Sequence, residues 1–112
     1  MSEFLYLYRG GRRGETPEES EQIMGKWMAW FKDLTAKGSL KDGGQPLELE
    51  GKIVGANGAI TDGPFAEAKD IVGGYTLVEA GSVAQACELA RGCPILERGG
   101  IVEVRPIMKL DM

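Results

Sequence analysis

The chain has 112 residues, enough for one domain spanning 1–112 that buries about two-thirds of its unfolded surface without metal or disulfide staples. Its 17 acidic and 13 basic residues give a net charge of -4 and a pI near 4.9, which argues against nucleic acid as a direct partner. No apolar run reaches the ~18 residues of a membrane span, and the start Met-Ser-Glu-Phe is unlike an export signal, so a cytoplasmic protein without membrane contact is expected.

Phe4, Tyr6 and Tyr8 alternate with Leu5 and Leu7, the pattern of a central strand over 4–8 buried on both faces. The glycine-rich stretch 10–15 breaks it and holds Arg12 and Arg13, which with Arg9 form the one basic cluster and read as a solvated surface loop. Thr16-Pro17-Glu18-Glu19 then supplies an N-cap, a proline at the first helical position and a capping-box glutamate. Ile23, Trp27, Trp30, Phe31 and Leu34 recur at helical spacing, and Met24 and Met28 join the two tryptophans in a stripe read as core. Gly38 is a natural stop.

Residues 47–54 alternate apolar with charged side chains, predicting a half-exposed strand near a sheet edge, and Asn57-Gly58 is a hairpin-turn signal. Next comes Thr61-Asp62-Gly63-Pro64-Phe65-Ala66-Glu67-Ala68-Lys69-Asp70, a rigid acidic loop. Asp62 can accept backbone N–H bonds from the turn it opens, Gly63 permits unusual backbone angles, and Pro64 fixes its own φ where a short helix can start. The strand predicted over 72–79 opens with Gly73-Gly74, whose low bulk admits another backbone or a ligand. Ser82-Val83-Ala84-Gln85 is a second capping box, and its helix presents Val83, Ala86, Cys87 and Ala90 as small core residues until Gly92. Cys87 and Cys93 have no CxxC spacing and no histidine beside them, so neither a metal site nor a structural disulfide is expected. The last strand runs over 101–107, with Pro106 at an edge or bulge.

The order β, α, β, β, α, β predicts an α+β, ferredoxin-like domain: a four-stranded antiparallel sheet with both helices on one face. Phe4, Tyr6 and Tyr8, together with the last two strands, exceed what two helices can cover. The helix-free face is therefore expected to be buried by a second copy, in a homodimer.

Four residues are candidates for a site. Asp62, on a constrained loop, is either a turn former or a general acid or base with a raised pKa. Lys69 is either a surface charge or an attractor for an anionic ligand, and Tyr75 is either core or a hydroxyl at a cleft edge. Arg105 either pairs with Asp62 or Glu103 at a dimer seam or anchors a substrate carboxylate. There is no P-loop, no GxGxxG after a strand and no Ser-His-Asp set, so no cofactor is expected.

The acidic loop, Ile71-Val72-Gly73-Gly74-Tyr75 after it and Val102-Glu103-Val104-Arg105-Pro106 near the end resemble the DGPF branch of the YCII-related proteins over most of the chain. The resemblance implies a dimeric α/β barrel made by two sheets packing together. It does not imply a known reaction. Relatives outside this branch are associated with a histidine-aspartate pair, and this chain has no histidine, so that mechanism does not carry over. Three functions stand side by side: a dimeric domain that binds a small molecule near the Asp62 loop, a cofactor-free isomerase or lyase using Asp62 with Arg105 or Tyr75, and a regulatory partner. The last follows only from the family, whose members are often encoded beside extracytoplasmic-function sigma factors.

Overall fold

A strand that alternates large aromatic with aliphatic residues needs two different neighbours, and β1 (Ser2–Arg9) has them at the centre of the main sheet. The computed structural model describes residues 1–63 and 68–110. In it β1 lies between β5 (Val72–Ala80) and β6 (Ile101–Pro106), and β2 (Leu40–Asp42) adds the outer strand beyond β5. The strand order is β2-β5-β1-β6 and every pairing is antiparallel. Helices α1 (Pro17–Ala36) and α2 (Val83–Ala90) share a single core on one face of this sheet, giving the α+β, ferredoxin-like arrangement.

Both helices begin where the capping residues direct. The Thr16 hydroxyl accepts the Glu19 N–H at 3.1 Å, and the Ser82 hydroxyl accepts the Gln85 N–H at 3.1 Å, satisfying donors that the helix leaves unpaired. The Gln85 side chain in turn reaches back past the cap and accepts the N–H of Gly81, the residue before Ser82. Trp30 and Leu34 from α1 and Ala86 and Ala90 from α2 are buried against Phe4, Tyr6, Tyr8 and Val78. Each large side chain in this layer contributes on the order of 1.5–3 kcal/mol of transfer free energy. Tyr6 stacks on Trp30 at 6.0 Å between centroids and donates its hydroxyl to the Ala86 carbonyl, locking both helices to the central strand.

The structure corrects several expectations. Phe4, Tyr6 and Tyr8 all face the helices, so they do not contribute to the helix-free face; Leu5 and Leu7 are there and only half-buried. Met24 and Met28 are exposed, because the α1 stripe that meets the sheet is centred on Trp30 and Leu34 and leaves both methionines on its flank. Val83 and Cys87 are also exposed, and the buried cysteine is Cys93, whose thiol burial pushes up to about 12 and so keeps protonated.

The second strand of the sheet is not the one predicted over 47–54. The three residues of β2 take that slot, while β3 (Gly51–Val54) pairs with β4 (Ile60–Gly63) in a separate two-stranded hairpin. The physical reason is local: the Asn57-Gly58 turn, with the Asn57 side chain accepting the Ala59 N–H at 3.0 Å, closes β3 onto β4 across a short loop at small entropic cost. The hairpin is an insertion between the second and third strands of an otherwise regular βαββαβ sheet. The molecule is a slab 47 × 44 × 18 Å, two layers thick, and the sheet of one chain closes into no barrel.

Candidate functional site

Between β2 and the hairpin the chain crosses the edge of β5 as a strap. The Leu47 N–H donates to the Gly73 carbonyl at 2.9 Å, and Pro46 bridges to Gly74. The strap is held from below by a chain of hydroxyls: Tyr8 donates to the Thr76 hydroxyl at 2.6 Å, and Thr76 donates to the Gly43 carbonyl at 3.0 Å. The low bulk at 73–74 has the first of its two expected uses. A Cβ on Gly74 would sit 3.1 Å from the Gln45 carbonyl and 3.5 Å from the Tyr8 ring, so the backbone that approaches is the strap.

On the other side the glycine-rich loop 10–14 is stapled to the 3₁₀ turn Pro94–Arg98. The Arg12 N–H donates to the Arg98 carbonyl at 2.9 Å. The Arg98 guanidinium donates to the carbonyls of Arg12 and Arg13 at 2.5 and 3.0 Å and to the Glu19 carboxylate at 2.7 Å. That contact and a backbone bond from Glu15 hold Glu19 below the usual carboxylate range.

Strap, loop and α1 enclose a cleft of about 510 Å³. Its walls are Tyr8, Trp27, Phe31, Ile71 and Ile95, with Leu49 and Met24 at the margin. Trp27 meets Tyr8 edge to face at 4.9 Å and Phe31 at 5.9 Å, so the aromatic wall is set by packing with the core before any ligand arrives. Burial keeps the Tyr8 phenol protonated far above neutral pH, which makes it a fixed donor to Thr76. The polar lining is Arg12, Arg13, Arg98, Ser20, Gln45 and Thr76, and among the described lining residues none is a carboxylate. A chain of net charge -4 thus presents three arginines to one cavity.

Of the four residues singled out from sequence, Tyr75 borders this cleft. Lys69, in the 3₁₀ turn Ala68–Asp70, is absent from the described lining; its carbonyl lies beside Gly10, which does line the cleft, 3.2 Å from where a Gly10 Cβ would stand. Asp62 lies on β4 with its side chain 90% exposed, ion-paired to Lys52 across the hairpin. The part of the turn whose backbone N–H groups Asp62 was expected to accept, Pro64, Phe65, Ala66 and Glu67, lies outside the described residues. Arg105 pairs with Glu103 at 3.1 Å on the helix-free face, the second of its two anticipated partners, and Arg9 reaches the same carboxylate at 2.8 Å. Arg9 and Arg105 together hold the Glu103 carboxyl below its ordinary range. Asp62 and Arg105 are absent from the lining of the cleft among the described residues.

Arg13, Trp27 and Thr76 are the residues that sequence reasoning missed. The only signal for the first was the Arg12-Arg13 pair inside a glycine-rich loop, which the solvated-loop reading absorbed. No group of three or more metal-ligating side chains occurs among the described residues, and no helix among them is long and apolar enough to cross a membrane.

Comparison with curated proteins gives no match. Among solved structures, the 5-chloro-2-hydroxyhydroquinone dehydrochlorinase of Burkholderia phenoliruptrix AC1100, in complex with 2,5-dihydroxybenzoquinone, is similar at a TM-score of 0.43, with 23% identity over 90% of each chain. The sequence matches the YCII-related domain over residues 4–111, nearly its whole length, and the chain therefore belongs to the YCII-related family.

Proposed function

We propose that this protein is a small-molecule binding domain whose ligand occupies the cleft between α1, the glycine-rich loop and the strap. The observation that carries the reading is the cavity itself: about 510 Å³, with aromatic walls and a few polar groups converging on it, the composition of an organic-ligand site. Asp62 is the weaker candidate for chemistry: its carboxylate is 90% exposed, paired with Lys52 across the hairpin, and absent from the described lining of the cleft. A screen of a metabolite library by tryptophan fluorescence tests this, since Trp27 lines the cleft. Hits that quench emission and raise the melting temperature are the expected result, and Asp62→Asn should keep the same hits and melt within a few degrees of the parent. A library without hits overturns the binding reading, whereas hits lost in Asp62→Asn restore the acid/base alternative.

The helix-free face supports a second element of this reading, a homodimer in which two sheets pack together. Leu5, Leu7 and Leu77 form a half-buried stripe there, continued by the exposed Ile101. The stripe is flanked by two clusters of opposite net charge: Lys41 between Glu3 and Glu79 on one side, and Glu103 between Arg9 and Arg105 on the other. A two-fold axis in the plane of the sheet can set each cluster against the opposite one of the partner, which is the self-complementarity an isologous interface needs. Light scattering at micromolar concentration is expected to give twice the 12.1 kDa of one chain, and a 12.1 kDa species would refute the dimer.

A further inference from the structure

We propose that the ligand class of the cleft is an aromatic carboxylate, its ring held against Trp27 and Phe31 and its carboxylate on the guanidinium of Arg13; the inference rests on the binding reading above. The three arginines of the lining are not equivalent. Arg98 spends its guanidinium on the Arg12 and Arg13 carbonyls and on Glu19, so it fixes the loop. Arg12 has the Glu19 carboxylate as a nearby counter-charge. Arg13 makes no ion pair among the described residues, its backbone is pinned by Arg98, and it is one of the residues that line the cleft.

Its position is distinctive as well. A second cavity of about 310 Å³, bordered by Pro46, Leu47 and Glu48, adjoins the cleft, and Arg13, Pro46 and Gly73 line both. Arg13 therefore stands at a junction, where its planar fork can meet an acid group at the mouth while the body of the ligand lies inside. The inner wall dictates that body. Trp27 and Phe31 present large apolar rings, which favour offset or edge-on contact with another ring, and a cleft of about 510 Å³ has room for one or two fused rings. Glu48 in the adjoining cavity disfavours a second negative charge there, so a monoacid fits better than a diacid.

The test uses matched pairs of probes that differ in charge alone: 1-naphthoate against 1-naphthamide, and indole-3-acetate against indole-3-acetamide. Tryptophan quenching and calorimetry on the full chain are expected to show each acid binding at least about tenfold tighter than its amide, the scale of one charge-assisted contact. Arg13→Met should bring that ratio toward one, and Arg13→Lys should keep part of it, since a point charge remains without the fork. Acids and amides that bind equally well, or a preference that survives Arg13→Met, overturn the proposal and leave the binding domain standing. Hits from the wider library with no response to either pair also reject this ligand class alone. A library with no hits at all rejects the cleft as a ligand site and this proposal with it.

Discussion

Trp30→Ala is expected to lower the unfolding free energy by about 3–5 kcal/mol, the cost of truncating a buried aromatic side chain. For a domain of this size that corresponds to a fall in melting temperature on the order of 15 °C. Trp30 is 6% exposed, and its ring contacts Tyr6 at 6.0 Å and Phe31 at 5.5 Å, so removing it opens a cavity beneath both helices. Its indole N–H also donates to the Leu89 carbonyl at 3.1 Å, a bond that ties α1 to the end of α2. Trp30→Phe separates the two effects: the ring body remains, the hydrogen bond goes, and a loss of about 1–2 kcal/mol is expected. Chemical denaturation of both variants checks the pair. A loss below about 1 kcal/mol for Trp30→Ala would mean that α1 does not pack through this face.

The contrast between Trp30 and Met28 shows what local pattern conveys. Helical spacing places Met24, Trp27, Met28 and Trp30 on neighbouring faces of α1, but spacing alone does not say where the sheet ends, and the two methionines fall beyond it. Caps were legible because they are local chemistry: Thr16 with Glu19 and Ser82 with Gln85 satisfy donors within one turn. The alternation of β1 was legible for the same reason, although which set of side chains met the helices was decided by the pairing with β5 and β6. The three-residue β2 was not legible, since a strand that short carries no measurable period. The cleft was the least visible feature. It is assembled from the loop at 10–14, the strap at 43–46, the start of β5 and the 3₁₀ turn Pro94–Arg98, four segments that only the tertiary fold brings together.

That assembly gives the strap a large effect on both stability and binding, and Gly44→Ala exposes it. Gly44 has φ +71, a backbone conformation in which a Cβ is strained by about 1–2 kcal/mol. Space adds a harder constraint, because the new Cβ would stand 1.8 Å from the Tyr75 carbonyl oxygen, well inside contact distance and against backbone that cannot rotate away. Relief requires the strap to lift from β5. Lifting it breaks the bond from the Leu47 N–H to the Gly73 carbonyl and withdraws Gly43 from the Thr76 hydroxyl, leaving that buried hydroxyl short of an acceptor. The expected total is about 2–4 kcal/mol of lost stability, more than the strain alone. The same movement removes Gly43, Gly44, Gln45 and Pro46 from the cleft wall, so any cleft ligand should bind at least tenfold more weakly even at a temperature where the variant is fully folded. Leu34→Ala weakens the core at a fully buried residue outside the strap and the cleft lining, and a comparison of calorimetric affinities between the two folded variants tells wall loss from general destabilisation. Equal affinities of Gly44→Ala and the parent for a cleft ligand would show that the strap is no part of the site.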